Sequence, residues 1–423
     1  MDAEMASWKS TGTYVDEVPP PGANIVDGMW IFRVKRPSGS PPAFKARYVA
    51  RGFSQRQGVD FFQTFSPTPK MNTLQVLLHV AAQRLHLRLL GLLLLLLTRR
   101  CCIRTNTSPP PFYVLVYVDD LVFATADTKA LTLVKSELQK RHTCTDLGEL
   151  RSYLGLQITW DRARRTITLT QSHMVHQFLQ RFGFQFSSPQ PTPLSTGHSL
   201  SAPPSDESVE PSGPYPELVG CLMYLMTCTR PDLAYPLSLL ARYVAPGRHQ
   251  KLVLGGPGPA VLTGHADASW VDDSATQRSS QGYTFSLGSG SVSWRSTRSS
   301  LVLSSSCEAE IYAEAMAAQE LRWLTYLLTD LGEQPRSPPV LYVDNKAMIA
   351  LCQEHRPEHR TKHIALRYFL ARELQQRGQL RLAYVATRAN TADVFTKAFP
   401  PGDHQRFATV LGLVPTLPHL LTA

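Results

Sequence analysis

The chain has 423 residues, 43% of them hydrophobic, which is enough for two or three domains with real cores. Lys plus Arg number 43 against 33 Asp plus Glu, a net charge of +10; the excess suits a nucleic-acid partner through counterion release but does not single one out. Seven Cys with no Cys-x-x-Cys pair and no His cluster at zinc spacing argue against a zinc site, and their scatter without a secretory signal fits a reducing, intracellular setting, cytoplasmic or nuclear.

Residues 1–27 read as an N-terminal extension carrying Pro19, Pro20 and Pro21. The run Leu89–Leu97 is interrupted only by Gly91 and bracketed by Arg84, Arg88, Arg99 and Arg100. It falls well short of the about 20 apolar residues that a spanning helix needs, so no membrane role is expected. A uniformly apolar run cannot be amphipathic, and a buried or aggregation-prone helix is the physical expectation. Next come two apolar strands flanking Tyr117-Val118-Asp119-Asp120, within residues 112–125. Adjacent acids on a tight turn between strands are costly unless a cation neutralises them. Asp-Asp also occurs in ordinary turns, but the apolar flanks on both sides count against that reading. Residues 186–216 are rich in Pro and Ser and read as an extended connector.

The last third carries four acids at element ends. Asp267 ends a strand pattern at 261–267. Short strands with turns at Gly288 and Gly290 occupy 278–303. Glu310 opens an amphipathic helix over 308–331 that Gly332 ends. Asp344 ends a second strand at 340–344, and Asp393 follows a strand and turn at 384–392. Between them lies a basic helix at 362–377, ended by Gly378; its Lys362, His363, Arg367 and Arg372 either face a nucleic-acid backbone or form a solvated basic face. Hard divalent cations want oxygen ligands, and two of them can clamp the attacking and leaving oxygens of a phosphodiester. Four acids among 33 also arise by chance, and acids cap helices for structural reasons alone.

The surrounding text raises the metal reading. His-Ala-Asp-Ala-Ser-Trp (265–270), Arg-Ser-Ser-Gln-Gly-Tyr (278–283) and Val-Ser-Trp-Arg-Ser (292–296) are followed by Leu-Ser-Ser-Ser-Cys-Glu-Ala-Glu-Ile-Tyr-Ala (303–313) and Leu-Tyr-Val-Asp-Asn-Lys-Ala (341–347). Arg-Thr-Lys-His-Ile (360–364) and Thr-Ala-Asp-Val-Phe-Thr-Lys (391–397) close the series. In this order the motifs resemble the type I RNase H domain of copia-type LTR retrotransposon Pol proteins. The resemblance places the metal acids on Asp267, Glu310, Asp344 and Asp393. Glu308 lies nearby, but Glu310 matches the pattern, with Tyr312 and Ala313 after it. Ser269 stands where the family often has a second Asp, which is not a ligand.

Upstream, Phe-Lys-Ala-Arg-Tyr-Val-Ala-Arg-Gly-Phe-Ser-Gln (44–55) and Gly-Val-Asp-Phe-Phe-Gln-Thr-Phe-Ser-Pro (58–67) resemble the fingers of the same family's reverse transcriptase. There Lys45 and Arg47 would contact the triphosphate of the incoming nucleotide. The 112–125 segment resembles the palm hairpin in which Asp119 and Asp120 hold Mg²⁺. Asp-Leu-Gly-Glu-Leu-Arg-Ser-Tyr-Leu-Gly-Leu-Gln-Ile (146–158) and Thr-Arg-Pro-Asp-Leu-Ala-Tyr (229–235) resemble thumb and connection segments. The implied fold is α/β and α+β multidomain: a fingers/palm/thumb remnant followed by an RNase H-like mixed-sheet domain. The implied divisions are reverse transcriptase at 28–185, linker at 186–216, connection at 217–254 and RNase H at 255–415.

Two departures weaken the polymerase half. No Asp or Glu occurs between Asp60 and Asp119, so the palm's further aspartate is missing and the Leu-rich text of 85–111 stands across an internal deletion. A connecting helix is also missing near 249–252, where the chain is expected to pass directly into the RNase H strand. The sequence reading is therefore a two-Mg²⁺ nuclease for RNA–DNA hybrids joined to a polymerase site left incomplete, with template and primer nucleic acid as further partners. The alternative is a catalytically dead relic, or a faulty gene model, with at most nucleic-acid binding. Oligomeric state stays open.

Overall fold

The computed structural model describes residues 25–35, 43–51, 70–83, 88–94, 102–105, 112–117, 120–141, 144–194, 214–240, 250–257, 259–273, 276–353 and 365–415, with a few single positions besides. The chain forms two compact units, Met1–Ser66 and Pro67–Ala423.

The first unit is built on an antiparallel ribbon of β1 (Gly28–Lys35) and β2 (Ala43–Ala50). Strand side chains alternate between faces. Trp30 and Phe32 therefore share one face with Tyr48 and Ala46, and Ile31 shares the other with Arg47. Trp30 stacks on Trp8 at 6.4 Å and meets Tyr48 edge-on at 5.2 Å.

The second unit holds three five-stranded sheets. It opens with α1 (Met71–Gln83), a helix without a charged residue, buried continuously from Thr73 to Ala82. A helix apolar nearly all round must be enclosed. Its few polar groups find partners: Gln75 donates to the Cys228 carbonyl at 3.1 Å, and His79 Nδ1 accepts from Gly255 N–H at 3.2 Å. Burial holds His79 neutral, pushing its pKa down to about 4 against the pull of the Leu287 backbone.

The first sheet, in the order β4-β5-β6-β3-β7, contains β3 (Arg88–Leu94), β4 (Cys102–Thr105), β5 (Phe112–Tyr117), β6 (Asp120–Thr125) and β7 (Cys144–Glu149), with α2 (Thr128–Arg141) between the last two. The described part of the Leu-rich tract, expected as a helix, is thus a strand. Apolar runs of this length do not distinguish helix from strand. Here β6 and β7 on either side, both antiparallel to β3, supply the backbone partners that decide it.

The second sheet, β17-β11-β10-β9-β8, joins β8 (Ser152–Tyr153), β9 (Leu156–Asp161) and β10 (Thr166–Thr170) to β11 (Gln250–Gly255) and the C-terminal β17 (Leu413–Pro415). The expected direct passage from 249 into the RNase H strand is corrected here: β11 is a separate strand between β10 and β17, and the next sheet begins later. Between β10 and β11 lie α3 (Ser172–Arg181), α4 (Tyr215–Cys228) and α5 (Ala234–Leu240); most of the expected linker, 197–213, lies outside the described residues.

The third sheet carries the acids. Strands β12 (Leu262–Asp273), β13 (Arg278–Leu287) and β14 (Ser291–Arg298) form an antiparallel meander, and β15 (Val340–Val343) and β16 (Arg381–Tyr384) add in parallel to β12, giving the order β14-β13-β12-β15-β16. Helix α6 (Ser306–Asp330) packs on β12 and β13, followed by α7 (Lys346–Gln353), α8 (Ala365–Gln376) and, after β16, α9 (Pro401–Val410). This is the mixed sheet of an RNase H-like fold, in sequence with a reverse-transcriptase remnant. Among the described residues no helix is long and apolar enough to cross a membrane.

One hydrophobic core runs through the second unit, from Leu77 and Leu115 through Leu252 and Leu254 to Phe285, Leu321 and Leu341. Asn72 donates to Ser293 Oγ at 2.8 Å and to Glu320 Oε1 at 3.0 Å, and Lys70 lies 4.3 Å above the Trp323 ring. The nuclease-like sheet thus leans on α1 and β11. A fragment of residues 256–415 lacks α1, β10 and β11, and we expect it to be unfolded or aggregated by circular dichroism and size-exclusion chromatography, whereas 67–415 stays folded. A folded, monomeric 256–415 fragment would show that the shared core is dispensable.

Candidate metal centre

Strand β12 presents Asp267 opposite Gly282 of β13. A Cβ at Gly282 would overlap the Cβ of Phe395 and press on its backbone, so glycine is what lets the short 3-10 turn Thr391–Phe395 lie against the sheet. That turn carries Asp393. Asn390 caps it, accepting from Ala392 N–H at 3.2 Å while its amide donates to the Ala266 carbonyl at 3.0 Å. Ser296 of β14 donates to the Phe395 carbonyl at 2.7 Å. Asp344 follows the last residue of β15. Parallel pairing of β15 with β12, His265 opposite Tyr342 with rings stacked at 5.1 Å, brings the two strand ends together.

Helix α6 delivers Glu310. Ser305 is the N-cap, accepting from Glu308 N–H at 3.1 Å, and Glu308 turns back to accept from Ser304 N–H and Oγ, both at 2.7 Å. Glu308 is therefore occupied in capping, and Glu310, two residues on, enters the cluster. Glu314, one turn further, is buried against the Cys352 thiol at 3.7 Å, and burial pushes its pKa up to about 8.

Carboxylate oxygens of Asp267, Glu310 and Asp344 lie within 4.8 Å of one another. Asp393 joins them at one remove: Lys397 Nζ sits 3.5 Å from Asp267 Oδ2 and 3.4 Å from Asp393 Oδ1. The Thr396 hydroxyl also donates to Asp267. Burial, with Asp267 and then Asp344 nearby, raises the Glu310 pKa to about 9 against smaller opposing pulls from Lys397 and then the Ala268 backbone. Burial and the adjacent Asp267 raise Asp393 to about 8. Burial raises Asp267 as well, with Lys397 and Thr396 opposing it. Burial works against the charge on Lys397, but Asp267 and Asp393 outweigh it and hold the ammonium above the ordinary lysine value. Lys397 and Thr396 were not singled out from the sequence; the signal was there in Asp393-x-x-x-Lys397, a one-turn spacing.

The other expected site residues fare differently. Asp120 lies at the start of β6, paired with Tyr117 and, on its other side, with Leu93. Asp119, Lys362 and His363 lie outside the described residues, as do the side chains of Lys45 and Arg367. Arg47 is exposed on β2. Arg372 is 8% exposed, because the face of α8 that bears it turns towards α6, so it is no part of an open basic surface.

The family model described as reverse transcriptase (RNA-dependent DNA polymerase) matches residues 13–87 and 103–196, breaking across the Leu-rich strand. The Pol polyprotein of transposon TNT 1-94 from Nicotiana tabacum is 28% identical over 98% of this chain and 37% of its own length. That of transposon RE2 from Arabidopsis thaliana is 29% identical over 95% of this chain and 33% of its own length. Along nearly its whole length the chain is similar to the Pol polyproteins of retrotransposons. It spans about a third of the length of these curated relatives. A foamy viral protease-reverse transcriptase solved with dsDNA aligns over 85% of this chain and 79% of its own, at 12% identity and a TM-score of 0.40.

The raised acids fix a sign for stability. The native state holds protons on Glu310 and Asp393 up to about pH 9 and 8, where the unfolded chain gives them up near pH 4. The native state binds more protons between those limits, so the metal-free protein loses stability as pH rises through that window. We expect Asp344→Asn, which removes one repelling charge, to raise the metal-free Tm at pH 8 by about 1 °C, the scale of a ~1 kcal/mol change in a chain of this size. Millimolar Mg²⁺ should stabilise the unaltered protein more than the variant in the same thermal-shift measurement. An unchanged or lowered Tm in the variant, without Mg²⁺, would show that the acids do not repel one another.

Proposed function

We propose that the chain is a divalent-metal-dependent ribonuclease acting on the RNA strand of RNA–DNA hybrids, attached to a polymerase remnant that no longer extends a primer. The observation that carries the reading is the convergence of Asp267, Glu310 and Asp344 from two strand ends and a helix, with donor oxygens within 4.8 Å. The donor set is all hard oxygen, which fits Mg²⁺ rather than a soft metal. Asp267, Glu310, Asp344 and, beside them, Asp393 would hold it. Bound there, such ions supply charge stabilisation to the attacking and leaving oxygens of a phosphodiester.

The chain's own contribution is to hold the acids in register. Thr396 fixes one oxygen of Asp267, Asn390 ties the Asp393 turn to the Asp267 strand, and Lys397 offsets part of the carboxylate charge. Selection of a hybrid over a DNA duplex would rest on contacts to the 2′-hydroxyls of the RNA strand.

Loss of polymerase activity is supported by the palm sheet. The strand beside Asp120 is β3, where Leu92 and Leu93 pair with Leu121 and Asp120, and no acid precedes Asp119 back to Asp60. Asp119 and Asp120 are left without the further carboxylate that a nucleotidyl-transfer site needs.

The purified full chain should cut the RNA strand of a labelled hybrid in Mg²⁺ and fail to extend a DNA primer on an RNA template. Asp344→Asn should lower cleavage on the order of 10³-fold, because metal charge stabilisation is worth several kcal/mol and ~1.4 kcal/mol is tenfold in rate. Cleavage equal in the variant, or absent from a folded wild-type chain, would reject the ribonuclease reading; primer extension would reject the reading of the polymerase half.

A further inference from the structure

Three residues beyond Asp267, the β12–β13 ladder breaks. Its register shifts between Ser269 and Asp273, and within that bulge Val271 stands at φ 52°. A β-branched residue in the left-handed region is strained, and such strain persists only where the surroundings over-determine it. They do so here. Val271 N–H donates to Ser279 Oγ at 3.2 Å, and the Asp272 carboxylate accepts from Ser280 N–H at 2.7 Å and Ser280 Oγ at 2.6 Å. Bulges beside active sites re-aim a side chain. The residue next to the strained position is Trp270, 50% exposed, and its indole N–H donates to the Leu303 carbonyl at 3.1 Å. Leu303 leads into the Ser305 cap of α6, the helix that carries Glu310. The indole is therefore pinned between the strand of one metal acid and the helix of another, with a large part of its surface in solvent. Leu301 and Val302, at 52% and 64% exposure, extend the apolar surface on the same loop.

An indole with its polar edge satisfied and its ring open is a low-entropy contact surface. Apolar burial would favour covering it, and half of its surface stays open to solvent among the described residues. We propose that Trp270 is a substrate-contact residue, on whose ring a nucleoside of the bound nucleic acid packs beside the scissile phosphate. This inference rests on the ribonuclease reading, since the metal acids must fix the phosphate. Three strand residues span about 10 Å, which puts the ring within a few nucleotides of that phosphate, since successive nucleotides on one strand rise about 3.4 Å. The bulge and its hydrogen bonds hold the ring in place before substrate arrives.

The test uses the full chain and a short RNA–DNA hybrid. Aromatic stacking on a base is sequence-tolerant and strong enough that Trp270→Ala should raise KM about tenfold, with kcat within about twofold, because the acids are untouched. Trp270→Phe, which keeps a ring, should restore most of the KM. In an Asp344→Asn background, hybrid should change the indole fluorescence of the Trp270 chain and not that of the Trp270→Phe chain. That difference signal decides the question even if the alanine variant misfolds. Cleavage by the unaltered chain together with an unchanged KM in a folded alanine variant, or a fluorescence change that does not depend on Trp270, would overturn this inference alone. No cleavage and no hybrid binding by the unaltered chain would overturn the ribonuclease reading, and this inference with it.

Discussion

Asp267 is 1% exposed, with Glu310, Asp344 and Asp393 around it and Lys397 between Asp267 and Asp393. Like charges so placed oppose folding, because burial and mutual repulsion both disfavour ionisation. The rest of the nuclease-like sheet can be understood as the means of enforcing that arrangement. Parallel pairing of β12 and β15 aligns the two strand ends, a Ser-capped helix brings in Glu310, and a glycine on β13 leaves room for the turn that carries Asp393. Lys397 offsets part of the charge. A cluster that costs stability and is held by so many separate devices is the signature of a site rather than of a fold.

The second constraint is the shared core. α1, which belongs by sequence to the polymerase half, is buried between that half's strands and the nuclease-like sheet, and β11 and β17 bind the two through a common sheet. Further contacts run the same way. Trp294 of β14 donates to the Met226 carbonyl, and Ser296 meets Ser238 of α5. Arg230 and Asp232, buried as an ion pair, lie beside His404 of α9. Breaking such a pair is far more costly than its presence is stabilising. The polymerase-like half therefore has a structural duty, because it supplies the floor on which the acids assemble.

The local patterns of the acidic third were legible in the sequence because they obey period and capping rules. The strand patterns at 261–267 and 340–344, the glycine turns at 288 and 290, and the stop at Gly332 correspond to β12, β15, the β13–β14 turn and the end of α6. The Leu-rich strand was not legible, since nine apolar residues carry no period and partner strands far along the chain decide their form. β11 was missed for a related reason: its partners are β10 and the C-terminal β17, the latter more than 150 residues away. Arg372 looked like a basic contact, yet only packing of α8 against α6 shows which face is inward. Lys397 and Thr396 were hidden because a role as charge partner depends on the three-dimensional meeting of Asp267 and Asp393.

The proposed metal chemistry thus sits in one acidic cluster, supported by the strands of the polymerase-like half. The most direct test is the anomalous scattering of Mn²⁺ in crystals of the full chain, with Mn²⁺ standing in for Mg²⁺ as a hard divalent ion. The account predicts a strong peak bracketed by the carboxylates of Asp267, Glu310 and Asp344, and a weaker peak or none at Asp120. A well-ordered acidic cluster without a peak, with Lys397 still bridging Asp267 and Asp393, would contradict it.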